Sequence, residues 1–282
     1  MAGPGFDRAA EDIGNIIHLE HVNTRVPDQA LATLFYISGL GLTRDPHFMT
    51  GIDNMWVNVG RSQFHLPTGA PQVLRGTTGL VIPDRAALLR RLAAVSEALA
   101  GTQFDVIEAD DHVFVTSPWG NRIRVHEPGA SFGRLRRGMP YVALDVAPGT
   151  AAPIARFYRE VFGASARVDH VNATARAIVP AGIGQDLVFE ETTRSVSAFD
   201  GHHIAIYIAN FSAPHRWLAD RDRITEESDR HQWRFEDIID PESGNVLFTL
   251  EHEVRSLHHP FFDRALVNRD PAITVRNHRP EN

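Results

Sequence analysis

Four segments of this chain look alike when stacked: His21–Asp28, Thr77–Asp84, Tyr141–Pro148 and His203–Asn210. Each is a β-branched, partly alternating run closed by Pro, Asp or Asn, the pattern of a strand that ends where a helix begins. They recur at intervals of about sixty residues, and self-similarity at that spacing means four supersecondary units, none able to bury its apolar face alone.

Helical periodicity follows each run, over Asp28–Ser38, Arg85–Leu99, Ala151–Phe162 and Ala213–Arg223. Two of these helices end alike. Phe35-Tyr36 and Phe157-Tyr158 each precede a glycine suited to the position after a helix, Gly39 or Gly41 and Gly163. A second signature closes the even units: Pro118-Trp119-Gly120-Asn121 and Pro241-Glu242-Ser243-Gly244-Asn245 join two β runs, and Gly and Asn tolerate the positive φ that such a turn needs. The expected fold is therefore α+β, four tandem βαβββ modules paired into two half-barrel domains. Consecutive modules are expected to pair: an N-terminal domain over 15–130, a glycine- and arginine-rich linker over 131–138, a C-terminal domain over 139–253, and a packed tail over 254–282.

Composition narrows the chemistry. The chain has 282 residues, enough for two domains with their own cores. It has no cysteine, which excludes disulfides, thiolate metal sites and thiol nucleophiles; any metal must sit on His, Asp, Glu or Tyr. A net charge of -7 lacks the basic footprint of a nucleic-acid binder, and the Arg134 to Arg137 cluster reads as a solvated linker. With no long apolar run and no signal-like start, neither a membrane span nor export is expected, and a cytoplasmic location follows.

Together, the Val-Pro-Asp strand ending, the Phe-Tyr-x-x-x-Leu-Gly helix ending and the Pro-to-Gly-Asn hairpin resemble the vicinal oxygen chelate superfamily over about residues 17 to 252. That superfamily includes glyoxalase I, extradiol dioxygenases and bleomycin-resistance proteins. The resemblance implies cup-shaped sheets with a divalent metal, Fe(II), Mn or Zn, held by the first residue of each opening strand and by a Glu on the closing strand. In this chain the opening positions are His21, Thr77, Tyr141 and His203. Imidazole suits such metals, Tyr less so, and Thr poorly. A histidine there also reads as a satisfied pocket residue.

The closing strands depart from the pattern, with Arg124 and Phe248 where Glu is expected. Arg stays protonated and cannot ligate, so Arg124 is read either as a clamp on a substrate anion or as part of an ion pair. Glu251 is a ligand if a β-bulge restores its face, and is exposed otherwise. His65 matches the glyoxalase-type ligand strand with His in place of Glu, and would share a cup with His21. Glu190 would accompany His203, with Tyr141 as ligand or proton donor.

Two functions follow as expectations. One is a metal-dependent enzyme acting on a small oxygenated substrate, dioxygenase-like by its four-module arrangement. The other is a metal-free pocket that sequesters a hydrophobic or aromatic compound, with Trp56, Trp119 and Phe248 as walls. The partner in either case is a small molecule, and the chain is expected to be a monomer or a homodimer.

Overall fold

The computed structural model describes residues 7–48, 53–269 and 276. The first stretch of regular structure is β1 (Ile16–Asn23), α1 (Gln29–Ala32), β2 (Thr43–Arg44), β3 (Asn54–Val59) and β4 (Ser62–Pro67). Next come β5 (Gly76–Val81), α2 (Arg85–Val95), β6 (Asp105–Glu108), β7 (Val113–Thr116) and β8 (Arg122–His126). They are followed by β9 (Gly138–Val146), α3 (Ala151–Glu160), β10 (Arg167–Val171), β11 (Thr174–Pro180) and β12 (Asp186–Glu191). The last group is β13 (His203–Ile208), α4 (Ser212–Ala219), β14 (Ile224–Asp229), β15 (Gln232–Ile239) and β16 (Val246–Ser256).

Local chemistry sets these boundaries. The Asp28 carboxylate accepts from the Ala30 and Leu31 amides and so caps α1, and Asp84 does the same for α2 through Ala87. α1 widens over Thr33–Gly39 into a π-helical turn. The paired aromatics Phe35-Tyr36 and Phe157-Tyr158 are essentially buried, so the repeated helix ending is a core signature. Among the described residues no helix is long and apolar enough to cross a membrane.

The strands form two eight-stranded sheets, ordered β14-β15-β16-β13-β1-β4-β3-β2 and β10-β11-β12-β9-β5-β8-β7-β6. The first unit therefore shares a sheet with the fourth, and the second with the third. This corrects the expectation that consecutive units pair. The seam of each sheet is an antiparallel contact between opening strands, β1 with β13 and β5 with β9. An opening strand has one free edge, and an unpaired edge has to be covered. The tail is also more engaged than its sequence shows. Asn268 exchanges two hydrogen bonds with the backbone of Gly60, and Arg264 pairs with the fully buried Asp45. Residues 270–275 and 277–282 of the expected tail lie outside the described residues.

The seam of the second sheet depends on one residue without a side chain. A Cβ on Gly76 would stand 1.9 Å from the Ala143 carbonyl oxygen on β9. Gly76→Ala must force the strands apart, at the upper end of overpacking costs, about 3 kcal/mol. The expected result is a lower urea midpoint with an unchanged slope.

Candidate metal centre

The first sheet gathers three imidazoles. His21 comes from β1, His65 from β4 and His203 from the head of β13, and one ring nitrogen of each lies within 4.8 Å of the others. Among the described residues this is the one group of three or more side chains suited to a metal ion. Alternation along the strands explains the convergence. In the parallel β1–β4 pair Asn23 faces His65, while across the seam Asn23 faces His203 and His21 faces Ala205.

A bulge builds the support for His21. The β1–β13 register shifts between Leu19 and His21, at Glu20. Neighbours on a regular strand point to opposite faces, but here the Glu20 carboxylate reaches the ring of His21, at 3.0 Å from Nδ1. Glu20 also accepts from the Tyr207 hydroxyl at 2.8 Å and from Arg255. Burial alone would raise its carboxyl; the His21 bond, Arg255 and Tyr207 outweigh that and hold it at about 2. Glu20 is thus an acceptor and His21 Nδ1 is the donor, while Nε2 of the ring points inward, 3.4 Å from His203 Nε2.

His65 is held between two amides, Asn23 at 2.6 Å from Nδ1 and Asn54 at 2.7 Å from Nε2, and stacks on Trp56 with ring centres 3.9 Å apart. Burial, reinforced by the neighbouring His21, lowers it to about 2. Burial also pushes His203 well below the ordinary histidine range. Both rings are neutral at ordinary pH.

His203 carries the test of whether a cation fits. Its Nδ1 lies 3.3 Å from Glu251 Oε1 and its Nε2 lies 3.5 Å from Glu253 Oε2. A neutral ring has one N–H, so one lone pair necessarily faces another electron-rich atom. Arg234 clamps both carboxylates and Arg255 contacts Glu20 and Glu253. Three carboxylates against two guanidiniums leave one negative charge, and an inward cation relieves both the charge and the opposed lone pairs. The donor set fits a divalent metal.

Glu253 is the residue the sequence reading missed. In register it occupies on β16 the place that His65 occupies on β4: β4 puts His65 beside Asn23, and β16 puts Glu253 beside Ala205. Glu251 lies level with His203, on the same face. The added residue in this segment is absorbed where a bulge was needed, since the β15–β16 register shifts between Phe235 and Asp237.

The other candidates fall elsewhere. Tyr141, Arg124 and Glu190 are on the second sheet, so the expected grouping of Glu190 and Tyr141 with His203 does not form. Glu190 is exposed, because on β12 it alternates with the buried Phe189. The positions there that correspond to His21, His65, His203 and Glu253 are Thr77, Arg124, Tyr141 and Val188. The Tyr141 ring lies over Gly79, where a Cβ would come within 2.4 Å of it, and its hydroxyl is 2.9 Å from His126 Nε2. Burial pushes that hydroxyl up. Trp119 sits half-buried on the β7–β8 turn. Phe248 packs under Arg75, beside a separate cavity of ≈ 580 Å³. Trp56 alone of the expected walls touches the imidazoles, edge-on to His21 at 5.0 Å.

No protein-family model and no curated protein matches the sequence. Solved structures do match. A putative dioxygenase from Bacillus subtilis subsp. subtilis str. 168 aligns with a TM-score of 0.57 at 17% identity, over 88% of this chain and 87% of that one. Glyoxalase I from Zea mays aligns with a TM-score of 0.56 at 13% identity, over 85% and 92%. This chain has the fold of these dioxygenase and glyoxalase I structures. At these identities the likeness carries the fold and leaves the reaction to the site. Within that fold the first sheet carries the gathered donors, and on the second the Tyr141 ring lies over Gly79.

Proposed function

We propose that this vicinal oxygen chelate protein is a divalent-metal-dependent enzyme acting on a small substrate with adjacent oxygens, with His21, His65, His203 and Glu253 as the ligand set. The convergence of three imidazoles, with His21 and His203 buried and His65 partly buried, carries this reading. Fe(II), Mn and Zn all accept such a set. An ion held there supplies Lewis-acid polarisation of substrate oxygens or, as iron(II), redox chemistry.

The chain's own groups do the remainder. Glu20 orients His21, and Trp56 with the two asparagines holds His65 in place; as a ligand that ring would give up one of its hydrogen bonds to an asparagine side chain. Arg234 bridges Glu251 and Glu253 and fixes their spacing. Burial raises the Glu251 carboxyl against the pull of Arg234. This leaves Glu251, next to the ligands, as the group suited to take up and return a proton. The four-module arrangement does not choose between dioxygenase-like and glyoxalase-like chemistry, since structures of both kinds align over most of the chain.

The metal-free reading rests on missing donors at Thr77, Arg124 and Phe248. Two of these belong to the second sheet and the third lies away from the imidazoles, so their loss does not bear on the first cup. Metal analysis of protein purified without a histidine tag tests the proposal. One equivalent of transition metal is expected, and Tyr141→Phe should leave that content unchanged because it alters only the other sheet. A metal-free protein that still takes up hydrophobic compounds would favour sequestration.

A further inference from the structure

We propose that the cavity between residues 134–137 and the C-terminal segment 261–268 binds a small carboxylate with an apolar body, at a site separate from the imidazole centre. The cavity measures ≈ 520 Å³, the size of a small-molecule site. Its floor includes Glu20 and Tyr207, and the Glu20 charge is already met by Arg255. Phe261, Phe262 and Leu266, each only partly buried, give it apolar walls.

The cations on its rim divide into two kinds. Arg61 and Arg264 are paired with Asp263 and Asp45, and Arg137 is engaged as well. Arg134 and Arg136 also line the cavity, are exposed, and make no ion pair among the described residues. In a chain of net charge -7, two exposed guanidiniums with no ion pair among the described residues, beside aromatic walls, are a local reversal of sign. Guanidinium matches carboxylate geometry with two parallel hydrogen bonds, and Phe261 and Phe262 suit a flat or branched apolar group. The arginine cluster that reads as a solvated linker in the sequence becomes, in the fold, one side of a pocket.

The test is calorimetric titration of the full chain with benzoate at low salt in the presence of a chelator, with benzyl alcohol and inorganic phosphate as comparison probes. Benzoate should bind with one-to-one stoichiometry, and both other probes should bind at least about tenfold more weakly. The double variant Arg134→Ala, Arg136→Ala should lose about tenfold or more in benzoate affinity while keeping its circular dichroism spectrum, since both side chains are exposed. His203→Ala should bind benzoate as the parent does, which separates this site from the metal reading. Absence of benzoate binding, retention of it in the double variant, equal binding of benzyl alcohol or phosphate, or its loss in His203→Ala would each overturn the proposal.

Discussion

A His203→Ala protein is expected to carry almost no transition metal where the parent carries one equivalent. Removing an outer partner of a ligand weakens metal binding about 10–100-fold, and removing a ligand that the others surround should cost more than that. The geometry makes His203 the sharpest choice. It faces His21, Glu251 and Glu253 at once, so its loss leaves a buried void lined by the His21 ring and two carboxylates. Inductively coupled plasma analysis checks metal content, and thermal unfolding with and without added metal checks linkage, because a ligand that binds only the folded state raises the midpoint. A variant that keeps its metal would remove the imidazole centre from consideration.

Glu20→Gln is expected to cause the largest loss of stability of any single conservative change near the site, about 3–5 kcal/mol. The glutamine has nearly the same shape but no charge, so Arg255, itself almost fully buried, loses its main counter-ion at that corner. The amide also confuses the choice of donor facing His21 Nδ1, so metal affinity should fall about 10–100-fold in addition. Urea denaturation of metal-free protein isolates the first effect, and metal titration isolates the second. Glu20→Gln with parental stability would mean that the carboxylate is not the keystone of the charged layer.

How much of this was legible in the sequence depends on what kind of information each residue carries. Alternation reports which face of a strand a side chain occupies; it was the repeat, with the ligand positions that the resemblance implies, that singled out His21, His65 and His203 from fifteen histidines. It does not report which strand lies alongside. The Gly-Asn turns of the second and fourth units are local signals, and read as punctuation they implied pairing of neighbours. The seam between β1 and β13, however, joins residues nearly two hundred apart, and no local pattern encodes that. Glu253 was lost for the same reason. Its parity matches that of Glu251, and only knowledge of its neighbour Ala205 on β13 makes it the counterpart of His65. The Glu20 bulge was invisible because adjacent polar residues on a strand ordinarily diverge.

The nesting of the chain, with the outer units sharing one sheet around an inner pair, has a consequence for assembly. During synthesis the inner sheet can close as soon as β12 emerges, while β1 must wait, its edge uncovered, for strands translated last. The sheet that carries the three imidazoles is therefore expected to form last, with its edge the region most exposed to wrong partners in the interval. Slow appearance of metal-binding competence after refolding, well behind the burial of the inner core, is the kinetic mark such an order leaves.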